Sequence, residues 1–125
     1  MPRLFEDLLL NYQWPILDIG DYTHFANPPG DDFSALLAQI TLDEVMFTTL
    51  IANRLVQFGR AGGGTYDPVC FDLRPPRAKR DCQVVWIDHE SILCHRRIRV
   101  VKVLAPSFRD LILNSVHSAR MIQDQ

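Results

Sequence analysis

The chain has 125 residues and 14.4 kDa, with 47% apolar and 22% charged residues, which suits one domain over 1–125 that folds without disulfide or metal staples. A net charge of −2 and a pI near 6.0 give no sign of nucleic-acid or anionic-membrane binding. The longest apolar runs, around Leu8–Leu10 and Val84–Ile87, are too short to span a membrane, and Glu6 and Asp7 interrupt the amino-terminal run that a secretory leader needs.

Leu4, Phe5, Leu8, Leu9 and Tyr12 recur at helical spacing after Pro2, so an amphipathic helix is expected over 3–12. Trp14-Pro15 ends it. Ile16–Ile19 reads as a short strand of the kind found at a sheet edge, and 20–32, with Gly20, Pro28, Pro29 and Gly30, reads as loop. Thr41 and Glu44 fit a capping box for a helix over about 42–54, with Leu42, Val45, Met46, Leu50, Ile51 and Leu55 as its buried stripe. From Leu55 the pattern changes to β-like runs: Leu55–Phe58, Val69–Leu73, Val84–Ile87 and Ile98–Leu104. No gap between them holds a crossover helix, so an antiparallel meander is expected. Phe108, Leu111, Ile112, Val116 and Ala119 predict a last helix over about 107–119. The fold class is α+β: an antiparallel sheet of about four to six strands packed with three helices.

Three cysteines, Cys70, Cys82 and Cys94, form no CxxC pair, which argues for reduced thiols and against a standard zinc site. Gly59–Thr65 lacks the ending of a phosphate-binding loop, and no helix is expected after it. Asp72, Asp88, His89 and Glu90 have the chemistry of a metal site or an acid/base pair. Against that, neighbours on one strand face opposite sides, so Asp88, His89 and Glu90 converge only where the strand has ended. Aspartates at strand ends also cap turns. Cys94 beside His95, Arg96, Arg97 and Arg99 reads as a charged turn, and Ser91 and Ser107 as caps rather than nucleophiles. No catalytic residue, metal or cofactor is assigned.

Charge is unevenly distributed. Residues 1–53 carry one basic and eight acidic side chains, whereas 54–125 carry twelve basic and seven acidic ones. An acidic, partly aromatic surface built from Asp18, Asp21, Tyr22, Asp31, Asp32, Asp43 and Glu44 is the candidate contact for a basic partner.

Four pieces in order resemble the SUKH superfamily, which includes bacterial immunity proteins and a fungal regulator of cell-wall synthesis. They are Pro2–Leu9; Asp67-Pro68 with Phe71-Asp72 after the glycine loop; Asp88-His89-Glu90 after VVWI; and Ala105-Pro106-Ser107-Phe108. Members of that family usually carry a further helix before the first piece. This sequence begins at the first piece, as a short variant or with its start set too late; a missing helix would leave apolar surface that a second copy of the chain could cover. The resemblance implies binding rather than chemistry: a cytosolic immunity protein that holds a cognate toxin, often a nuclease, with Asp67, Pro68, Phe71, Asp72, Asp88, His89 and Glu90 structural. A regulatory scaffold and a small metal-dependent hydrolase using Asp72, Asp88, His89 and Glu90 are the rival readings. Neither nucleic acid nor membrane is expected as a partner.

Overall fold

A computed structural model of the chain describes residues 2–12, 17–19, 22–25, 34–62, 66–74 and 82–113. In chain order the elements are α1 (Arg3–Asn11), β1 (Leu17–Ile19), β2 (Tyr22–His24), α2 (Ser34–Ile40), α3 (Glu44–Ala52), β3 (Leu55–Ala61), β4 (Pro68–Asp72), β5 (Val84–Ile87), α4 (His89–His95) and β6 (Val100–Ala105). Helical residues 108–113 follow. The strands form one antiparallel sheet in sequence order, β1 to β6. The expected α+β meander is therefore observed, with more helices than the three expected.

Both faces of the sheet are covered. On one face Phe5 of α1, Phe58 of β3, Phe71 of β4 and Phe108 meet as a four-ring cluster. Phe58 and Phe71 stack at 4.1 Å between centroids, and Phe108 meets Phe71 edge-on at 5.4 Å. Such pairs add about 0.5–1.5 kcal/mol each beyond the area they bury. On the other face Met46 and Leu50 of α3 and Ile92 of α4 cover Leu55, Cys70, Val85 and Ile87. Alternation along β4 and β5 sends successive residues to opposite cores: Val69 and Phe71 to the first, Cys70 to the second, then Val84 to the first and Val85 to the second. Every residue of β4 is consequently buried.

Local chemistry explains several element ends, and it corrects two expectations. Asp43, not Thr41, caps α3: its carboxylate accepts from the Met46 amide at 3.0 Å. Thr41 instead closes the preceding helix, donating its hydroxyl to the Leu37 carbonyl at 2.7 Å. That helix, α2, was not expected. The apolar stripe of α3 narrows to Met46, Thr49 and Leu50, while Leu42 and Ile51 are exposed. Ser107 caps the last helix as expected, accepting from the Asp110 amide at 3.0 Å. Residues 114–119 of the expected last helix lie outside the described residues.

A register irregularity in β3 falls between Gln57 and Gly59. The neighbouring strand β2 approaches so closely there that a Cβ on Gly59 would lie 2.4 Å from the Thr23 carbonyl oxygen. Glycine is required for this approach rather than for a turn.

Candidate functional site

Asp67 immediately precedes β4. Pro68 pushes it toward extended backbone, and its carbonyl accepts from the Ala61 amide at 2.9 Å, continuing the ladder with β3. Its side chain reaches the other way. One oxygen accepts from the Trp86 indole of β5 at 2.7 Å. The other accepts from the His89 backbone amide at 2.9 Å and lies 2.5 Å from His89 Nδ1. The His89 amide is one of the donors that a helix start leaves without an intrahelical partner. Asp67 thus caps α4 from a different strand while Asp88 caps it locally.

Asp88 accepts from the Ser91 hydroxyl at 2.8 Å, the Glu90 amide at 3.3 Å and Arg99 at 3.2 Å. Burial pushes the Asp67 carboxyl up, but the His89 amide and ring and the Trp86 indole outweigh it and hold the group below the usual carboxylate range. The Ser91 hydroxyl, with the Glu90 amide and Arg99, holds Asp88 below that range as well.

Potential ligand atoms of Asp67, Asp88 and His89 all lie within 4.8 Å of one another, a donor set that suits a divalent cation. It is the one group of this kind among the described residues. The oxygens a cation would need from Asp67 and Asp88 already accept hydrogen bonds from the protein. Tyr66 sits beside the cluster, its ring 6.2 Å from that of His89. The Arg60 guanidinium lies 5.2 Å from the Tyr66 ring and 5.5 Å from that of Phe25, within cation–π range of both. Tyr66, Arg60 and Gln57 line an open depression between β3 and the α2–α3 corner, with room for about one water molecule.

The grouping of Asp72, Asp88, His89 and Glu90 does not assemble. Asp72 ends β4, five residues beyond Asp67, or about 16 Å at the rise of an extended strand. Its partners are Arg74, which it holds by two bonds of 2.9 Å, and Gln83 at 3.3 Å. Only 2% of Asp72 is exposed. Burial raises its carboxyl, while Arg74 and Gln83 more than offset that and lower it. Glu90 is exposed, and its carboxylate is not among the ligand atoms that converge. β5 ends at Ile87, and this lets Asp88 and His89 converge through the first turn of α4. Asp67 was expected only as a structural position of the SUKH-like pattern; the Asp67-Pro68 step reads equally as a turn and does not place it beside His89.

The acidic candidates scatter. Tyr22 is only 3% exposed and packs on Phe58, so it is core and not a partner contact; burial pushes its hydroxyl up to about 12. Asp43 is committed to capping α3, and Glu44 is exposed beside it. Asp18 lies on β1 with its Cα paired to Thr23. Asp21, Asp31 and Asp32 lie outside the described residues. Pro68 and Phe71 are buried strand residues. Cys70 and Cys82 are buried thiols and Cys94 an exposed one; burial pushes the Cys70 thiol up, away from thiolate chemistry. Among the described residues no helix is long and apolar enough to cross a membrane. No protein-family model, curated protein or solved structure matches this chain.

Proposed function

We propose that this chain is a non-enzymatic, cytosolic protein-binding domain of the immunity kind, which holds and blocks a basic, nuclease-type toxin. The observation that carries the reading is the commitment of Asp67. Its two oxygens join β4 to β5 and α4, so the cluster that most resembles a catalytic centre serves the fold. The order of the four SUKH-like pieces and the acidic bias of residues 1–53 support the same reading. A basic surface is what a nuclease needs for its own substrate. Asp31, Asp32 and Glu44 are the acidic contacts we assign to that toxin, and a second copy covers the exposed Leu4 and Leu10 of α1 and Tyr12 at its end.

The test is affinity capture from the source cell with the tagged full chain. One basic protein should be retained in near-equal amount, and the double substitution Asp31→Lys/Asp32→Lys should release it without lowering the melting temperature. Capture that both substitutions leave unchanged would overturn the acidic contact.

The spacing of Asp67, Asp88 and His89 favours a second reading, a metal-dependent hydrolase. Under it, zinc or manganese raises the melting temperature of the chain, because a ligand that binds only the native state stabilises it. An unchanged melt removes this reading.

A further inference from the structure

The strand β6 closes the sheet and, among the described residues, pairs with β5 alone. Such an edge presents a row of backbone donors and acceptors ready to pair with another strand. Its side chains are unusually exposed for an apolar strand: Val100 is 39% exposed, Val101 46% and Val103 47%. Val100 lies opposite Ile87 and Val103 opposite Val85, both of which point into the core covered by α3 and α4. Val100 and Val103 therefore project on that side, the side that also carries the exposed Leu93 of α4.

Cations outnumber acids along this edge. Residues 91–109 contain five Lys/Arg and no Asp/Glu. Arg99 is partly balanced by Asp88 at 3.2 Å. Arg96, Arg97 and Lys102 make no ion pair among the described residues and are exposed. Lys102 lies opposite Trp86, on the face away from Val100 and Val103. An incoming strand would thus meet valines on one face and a lysine on the other, with arginines at its end.

This pattern discriminates between occupants. A second copy brings its own Lys102 and arginines to the interface, and like charges across adjacent strands destabilise the pair. An extended segment that alternates acidic and apolar residues satisfies both faces at once. We propose that β6 is a docking edge for such a segment of a partner protein, which adds as a further strand of the sheet. Backbone hydrogen bonds supply affinity in this mode, and the alternate side chains supply selection. The edge is separate from the acidic contact assigned above and carries the opposite charge.

The test uses the full chain and labelled eight-residue peptides, one alternating glutamate and valine and one alternating lysine and valine. The Glu–Val peptide should bind, more weakly as salt rises, and the Lys–Val peptide should not. Lys102→Glu should weaken Glu–Val binding at least tenfold, and Lys102→Arg should restore it. Because Lys102 is exposed, both variants should melt with the parent protein. Two further Glu–Val peptides, N-methylated on one or the other alternate set of amides, test strand addition itself. One set should abolish binding and the other leave it, since only one edge of the added strand faces β6.

Three results overturn the proposal: no Glu–Val binding, equal binding by Lys102→Glu, or equal binding by both N-methylated peptides, which would indicate charge adhesion without pairing. A concentration-dependent dimer that Lys102→Glu dissolves would make a second copy the occupant instead. None of these outcomes touches the toxin reading, which stands or falls with Asp31 and Asp32.

Discussion

β4 and β6 are both short, valine-bearing strands of the same sheet, and they live in opposite surroundings. β4 has a strand on either side, a core on each face and no exposed residue; among the described residues β6 has one neighbour, and only its Ala105 is buried. The valines are alike, so strand propensity cannot separate the two. Position in the sheet decides whether a valine contributes packing energy or remains available to another chain. A central strand should tolerate almost no change, whereas an edge strand should tolerate nearly all of it, so substitutions of comparable kind should differ several-fold in cost.

The sharpest way to break that contrast is Phe71→Ala in β4. It removes one ring of the four-phenylalanine cluster and should cost about 3–5 kcal/mol in urea unfolding. A loss below about 1 kcal/mol would mean that the central core is not packed as described. Gly59→Ala, on β3 next to β4, comes second. Its Cβ meets backbone rather than a flexible side chain, and the overpacking should cost about 1–3 kcal/mol.

Acid tests the two ends of β4 together. Asp67 and Asp72 titrate below the ordinary value in the folded chain, and an unfolded aspartate titrates near about 3.9. Their stabilisation is therefore complete above about pH 5 and is lost as pH falls through the folded values. Urea midpoints measured down the pH scale should drop below about pH 4, and Asp72→Asn should flatten that drop while lowering stability at neutral pH. A midpoint equally steep in Asp72→Asn would remove Asp72 from the account. At the low end of the scale, Val103→Thr on β6 should change stability by less than about 0.5 kcal/mol. A larger loss would mean that this edge is already covered in the native protein.

Most of the strands were legible in the sequence; β2 was not, because Tyr22–His24 falls in the stretch 20–32 that reads as loop and becomes a strand only by pairing with β3. Val84–Ile87 was bounded correctly, and β3 and β4 were placed to within a few residues, because period-two runs between turn residues carry their own limits. The short helices were not legible. α2 and α4 have seven residues each, fewer than two full turns, so no apolar period can develop. α4 also lay within a charged stretch that reads as a turn. Its cap, Asp88 with Ser91 three residues on, was the available signal.

The site was half legible. Asp88 and His89 are neighbours in sequence, but Asp67 reaches them only through the register that sets Val69 opposite Trp86. Pairing register is a property of two strands at once, and a single run of residues does not contain it. The same limit misplaced Tyr22. An aromatic among aspartates looks like surface until β2 is paired with β3, which turns its ring onto Phe58.

The reach of Asp67 has a consequence for the order in which the chain folds. α4 is too short to persist alone, since helix nucleation is costly and a seven-residue segment gains few propagation steps. One of its first amides is held by a carboxylate 22 residues earlier in the chain. That acceptor arrives only when β4 and β5 have come into register. α4 should therefore form after the β4–β5 hairpin, as a late event that locks an existing sheet. Substitutions in α4 should accelerate unfolding and leave the refolding rate nearly unchanged.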